Sequence, residues 1–156
     1  MSREDVEALR ARVGHESQAL QAAVDNIDQA ASVFLGINRT DLRCLEVLMQ
    51  GESTPGALAA ELGLTSGSVT TMLDRLAKLD YVTRHPEPGD RRKTVIRITP
   101  EAMNRAMQIY GPIAEEGFGE ISTYTAAELN LILDFLTRSR QLQERHRARI
   151  AALPRP

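Results

Sequence analysis

A single cysteine, Cys44, leaves no room for an internal disulfide framework or a cysteine-rich zinc site in these 156 residues. Tryptophan is absent, and three Tyr and three Phe are too few to suggest an aromatic ligand cage. Long hydrophobic runs are missing too. The apolar stretch around residues 30–37 is broken by Ser and Gly, well short of the roughly 20 residues that a membrane span takes. No basic segment followed by an apolar block opens the sequence, so no secretory signal and no membrane partner are expected, and the expected compartment is the cytoplasm. The three histidines, His15, His85 and His146, lie far apart and outside any local Asp/Glu/Cys cluster. No P-loop, dinucleotide fingerprint or Ser-His-Asp constellation is present either. The expectation is therefore a protein without enzymatic activity, metal or cofactor.

What is there is an ordinary globular composition, 42% hydrophobic and 26% charged, enough for one domain with extensions. The net charge of −2 conceals an uneven distribution. Residues 1–37 are net −3, 38–83 net −2 and 101–137 net −5, whereas 84–100 are net +3 and 138–156 net +5. A short basic stretch and a basic tail thus sit in an acidic chain. All but two of the basic residues are arginines, the exceptions being Lys78 and Lys93, so an isolated Arg says little about bidentate recognition.

Apolar residues Val6, Leu9, Val13, Leu20, Val24, Ile27, Ala31 and Phe34 recur at helical spacing and predict one long helix over residues 3–35. A helix of that length needs a partner surface, in cis or from another subunit. Thr40 is the expected cap of a second helix with Leu42, Leu45, Val47 and Leu48 inward, stopped by Gly51. Thr54 followed by Pro55 opens a third, because Pro suits the first helical position. Gly63 ends it, and Thr65 or Ser66 caps a fourth helix that turns Val69, Met72, Leu73, Leu76 and Leu79 inward. The pattern then changes. Residues 81–84 and the β-branched run 94–99 read as two strands joined by a turn at Pro86, Pro88, Gly89 and Asp90. Thr99 and Pro100 start a fifth helix with a bend expected near Pro112. Thr125 and Glu128 form a capping box for a last helix lined by Leu129, Ile132, Leu133 and Leu136.

Helix, tight Gly turn, helix and basic hairpin in that order make a winged helix-turn-helix. The fold class expected is mainly α with a small β-hairpin wing, together with a helical dimerisation region. The fourth helix opposes its apolar stripe with Thr65, Ser66, Gly67, Ser68, Thr70 and Thr71, then Arg75 and Lys78. Short hydroxyl side chains at the start of a helix let it approach base edges closely, and later basic groups reach phosphates.

The segment from Thr70 to Arg84, with Gly89-Asp90-Arg91-Arg92-Lys93 and Ile96-Arg97-Ile98-Thr99, resembles the MarR-type winged-helix transcriptional regulators. The family's Asp-x-Arg wing signature is met by Asp90 and Arg92, and its closing pair by Ile98-Thr99. Two departures stand out. Asp80 occupies the place of a usual Gly after the recognition helix, and a Gly common shortly after the wing's Thr is missing. The resemblance implies a homodimer interlocked by N- and C-terminal helices. It also implies double-stranded DNA as partner, and a small-molecule effector of unidentified chemistry between the dimerisation helices and the winged helix.

The division expected is a winged helix-turn-helix at 38–99 and a dimerisation region formed by 1–37 and 100–150. The DNA-binding residues expected are Thr65, Ser66, Gly67, Ser68, Thr70, Thr71, Arg75, Lys78, Arg84, Asp90, Arg91, Arg92 and Lys93. Asp90 is expected to pair with Arg84 or Arg75 and so aim Arg91 or Arg92 at a minor groove, where a narrow groove attracts Arg. The function expected is repression of transcription from palindromic operators. Two alternatives stand beside it: a thiol switch at Cys44, and a winged-helix module that binds only protein. Against the thiol switch, the chain has no resolving Cys, and the family's redox branches carry theirs in the first helix. The basic run at 138–149 is expected to pair with the acidic N-terminal helix rather than with DNA.

Overall fold

The computed structural model describes residues 2–87 and 90–154, with the side chains at 87 and 90–93 outside the description. Two compact units result, Met1–Ile109 and Tyr110–Pro156. The order of elements is α1 (Arg3–Leu35), α2 (Arg39–Met49), α3 (Pro55–Leu62), α4 (Ser66–Lys78), β1 (Val82–Glu87), β2 (Asp90–Ile98), α5 (Pro100–Ile121) and α6 (Ala126–Ala151). The mainly helical fold class with a two-stranded hairpin is as the sequence implied.

Local chemistry explains most boundaries. Ser2 and Asp5 form a capping box at α1, and Gly36 closes that helix in the left-handed region at φ 68°. The cap of α2 is Asn38, whose side chain accepts from the Asp41 amide, and not the expected Thr40. Thr54 caps α3 with Pro55 behind it, and Gly63 at φ 66° ends it. Thr65 caps α4 by accepting from the Ser68 amide.

The core of the first unit lies among α2, α3, α4, the hairpin and the start of α5. Leu42, Leu45 and Leu48 of α2 are buried, as are Leu58 of α3, the α4 stripe of Val69, Met72, Leu73 and Leu76, and Val82, Val95 and Ile96 of the hairpin. Leu79, expected inward, is 45% exposed because α4 has already ended and its helical phase is lost. The strands pair antiparallel from Val82 opposite Ile98 to Pro86 opposite Thr94, and both run farther toward the tip than expected. Ser53 adds an isolated bridge, its amide donating to the Ile96 carbonyl and its carbonyl accepting from the Ile96 amide.

A knot of polar contacts fixes the end of α4. Asp80 sits in the left-handed region at φ 58°, the turn for which a Gly would be usual. The Thr99 hydroxyl donates to the Asp80 carbonyl at 2.7 Å and accepts from the Ala102 amide at 3.1 Å, capping α5. Tyr81 is buried, and its hydroxyl donates to the Leu35 carbonyl at the end of α1 (2.9 Å). Arg105 of α5 lies over the Tyr81 ring, 5.9 Å from its centre.

In the second unit α6 opens on the expected Thr125–Glu128 capping box, and α5 continues through Pro112. No residue of α6 is buried, and Leu131 is 70% exposed. Among the described residues no helix is long and apolar enough to cross a membrane.

Candidate nucleic-acid interface

The amphipathic spacing of α4 decides what it shows. One face is consumed by the core, so Thr65, Ser66, Gly67, Ser68, Thr70, Thr71, Arg75 and Lys78 are all left exposed. The hydroxyls are held. Thr65 and Ser68 share a hydrogen bond of 2.9 Å, Thr70 donates back to the Ser66 carbonyl at 3.0 Å, and Thr71 donates to the Gly67 carbonyl at 3.1 Å. These i→i−4 bonds fix the side-chain rotamers while leaving oxygen lone pairs outward. A methyl group added at Gly67 would meet nothing within 4 Å, so the fold does not itself require a glycine there.

Arg75 is anchored by Asp41 of α2. Its Nε donates to Asp41 Oδ2 at 3.2 Å and its Nη2 to Asp41 Oδ1 at 2.7 Å. This charge-assisted grip holds the guanidinium firmly in its charged form, by hydrogen bonding first and Coulomb attraction second. Arg84 of β1 pairs with Asp74 of α4 at 2.7 Å, tying the base of the wing to the helix. Both arginines proposed for Asp90 thus have other carboxylate partners. The side chains of Asp90, Arg91, Arg92 and Lys93 lie outside the described residues, as do Pro88 and Gly89. A further pair, Arg97 with Glu52 at 2.6 Å, braces the hairpin beside the Ser53 bridge.

Between α4 and the N-terminal turn of α2 a groove of about 770 Å³ opens. It is lined by Asn38, Arg39 and Thr40 on one side and by Ser68, Thr71 and Arg75 on the other. Arg39 also ties α2 to α1, with Nη2 3.2 Å from both Asp25 and Asp28. Sequence reading missed Asp41, Asp74 and Glu52 as partners. Asp41 and Glu52 lie 34 and 45 residues from the arginines they hold, and Asp74 lies 10 from Arg84 across the turn into β1, so no local pattern announces them.

Cys44 is fully buried, and its thiol is pushed up to about 12 by desolvation and then by the nearby Asp41. Such a thiol is almost wholly protonated at neutral pH and shielded from oxidants, which does not favour the thiol-switch reading. Among the described residues, no group of three His, Cys, Asp or Glu side chains is placed to hold a metal.

The geometry is that of a winged helix-turn-helix with an exposed second helix and a braced hairpin. A model of the MarR family matches residues 35–93. A curated HTH-type transcriptional regulator, YcgE of Bacillus subtilis, is 35% identical over 123 residues, covering 78% of this chain and 80% of its own. The chain belongs to the MarR family of transcriptional regulators. Solved structures agree on the fold. A mutant MepR from a multidrug-resistant Staphylococcus aureus clinical isolate superposes with a TM-score of 0.65 at 16% identity, covering 84% of this chain and 96% of that one. A second mutant of S. aureus MepR, solved bound to an oligodeoxyribonucleotide, gives 0.52 at 19% identity, covering 82% and 97%.

Proposed function

We propose that this regulator binds double-stranded DNA as a homodimer and represses transcription from palindromic operators. The observation that carries the reading is the outward face of α4: a run of rotamer-fixed hydroxyls and a glycine, followed by a tethered Arg75, on a helix locked to its wing by Arg84 and Asp74. A helix faced with small side chains can lie deep in a major groove, and a basic hairpin beside it reaches the neighbouring minor groove. The MepR–oligodeoxyribonucleotide complex supports this by fold alone. The wing residues Asp90, Arg91, Arg92 and Lys93 belong to the proposed interface on the strength of the family signature.

Dimerisation is supported within each unit separately. On α1, Leu9, Val13, Leu20 and Val24 are all exposed, and on α6 so are Leu131, Leu133 and Leu136. Apolar stripes of that size on long helices call for a partner. We assign residues 1–37 and 100–150 to dimerisation and 38–99 to DNA binding. The compact units of one chain divide elsewhere, at Ile109. A small effector that loosens the DNA complex completes the scheme.

Selection from a random duplex pool tests the reading. Two copies of α4 entering successive major grooves require half-sites about 10 base pairs apart. Recovery of non-palindromic sites, or of half-sites off the helical repeat, refutes the docking. Absence of any salt-dependent binding to duplex DNA would instead favour a module that contacts only protein.

A further inference from the structure

Asp41 is the one acidic side chain in the buried set among the described residues, 2% exposed as a residue. A buried carboxylate is costly unless it is paired, and an apolar residue of similar size would fill the same space without that cost. Its position is therefore better explained by what it does to its partner. Arg75 is half exposed, and Asp41 holds it by two donors, Nε and Nη2. Two-point contact fixes the plane of the guanidinium and not only its position. Nη1 takes no part in that grip, and Arg75 lines a groove together with Ser68 and Thr71. Residues 68, 71 and 75 follow one another at helical spacing on the proposed DNA-facing surface of α4.

An untethered arginine loses much rotamer freedom when a complex forms, and a pre-ordered one loses little. The tether also carries an electrostatic cost. Asp41 offsets the Arg75 charge, which weakens generic attraction to phosphates. A side chain that sacrifices generic attraction for fixed direction is arranged for discrimination. We propose that Asp41 is a positioning residue for operator recognition: buried and unable to touch a duplex itself, it sets Arg75 so that sequence specificity passes through a carboxylate on α2. This rests on the DNA-binding reading above.

The test measures affinity for the selected operator and for random duplex, at one salt concentration, in wild type, Asp41→Asn, Arg75→Gln and the double variant. Asp41→Asn is expected to lower the operator-to-random ratio by about ten- to a hundredfold, the worth of one well-placed bidentate contact, while affinity for random duplex stays level or rises. In the Arg75→Gln background the same substitution is expected to change the ratio no further. Equal loss on both duplexes, or additive losses in the double variant, would mark Asp41 as merely structural and overturn the proposal. So would an unchanged ratio in a wild type that does select an operator. A wild type that selects no duplex overturns the DNA-binding reading and this inference with it. If Asp41→Asn does not fold, the wild-type Arg75 Nε–H signal in NMR, identified by its loss in Arg75→Gln, decides. A solvent-protected signal upholds the tether, and an averaged, rapidly exchanging one refutes it.

Discussion

Thr99→Val probes how the wing is joined to the helices around it. The substitution keeps the β-branch and the volume of a residue only 6% exposed, and removes one hydroxyl. That hydroxyl serves two contacts, donating to the Asp80 carbonyl and accepting from the Ala102 amide. Loss of a helix N-cap costs about 1 kcal/mol. Leaving the Asp80 carbonyl without its donor costs about 1 kcal/mol more, the low end of the range, because Asp80 is itself exposed. The expected total is ~2 kcal/mol, which at a urea dependence of ~1–3 kcal/mol per M lowers the unfolding midpoint by roughly 1 M. Thr99→Ser retains both bonds and gives up only a methyl group, so its loss stays below ~1 kcal/mol. Far-UV circular dichroism in urea at one fixed protein concentration measures both, since association of subunits otherwise shifts the midpoint. A Thr99→Val midpoint within ~0.2 M of wild type would refute the double role of the hydroxyl, and so would a Ser variant as weak as the Val variant.

Gly67→Ala is expected to raise thermal stability by up to ~1 kcal/mol, since α4 gains a better helix former in open space, yet to weaken DNA binding if the helix backbone approaches the bases there. Unchanged affinity in a filter-binding titration would place Gly67 outside the interface. Asp80→Ala should lower stability by about 1 kcal/mol, while Asp80→Gly should not lower it, because only glycine takes positive φ without steric cost. Cys44 should resist iodoacetamide at pH 8 until the protein unfolds, its thiol standing near 12 against an ordinary 9. The sign for stability follows from linkage. The folded state keeps a proton that the unfolded chain releases between about pH 9 and 12, so this group's contribution falls as pH rises through that window. Rapid alkylation of the native protein would contradict the burial.

Much of the local architecture was legible because caps and breakers are short-range chemistry. Thr54-Pro55, Gly63, Thr65 and the Thr125–Glu128 box each act within four residues, and each does what its residue type predicts. Asn38 was equally readable, with Asp41 three positions on, but Thr40 sits closer to the apolar run and competes with it as a cap. The hairpin runs longer than expected because Pro86 and the charged residues near the tip signal a turn. A two-stranded hairpin is all edge, and there a proline's missing N–H can face solvent without breaking the ladder. The ion pairs were the illegible part. Asp41 in the first turn of α2 looks like a residue favoured by the helix dipole, and only the packing of α4 across α2 makes it a buried anchor. Asp74 and Glu52 are exposed carboxylates, and only the fold brings them to their partners on the strands.

The bond from Tyr81 to the last carbonyl of α1 makes a joint between the long helix and the far end of α4. Seen as a lever, α4 extends from that joint for 13 residues, or ~20 Å at 1.5 Å per residue. Turning the lever by about 5° carries its tip through ~1.7 Å. If two copies swing in opposite senses along a duplex, the separation of the tips changes by ~3.4 Å, the rise of a single base pair. If the proposed dimer docks as described, a tilt of α1 passed through this joint would move the pair of helices out of step with the DNA by one rung.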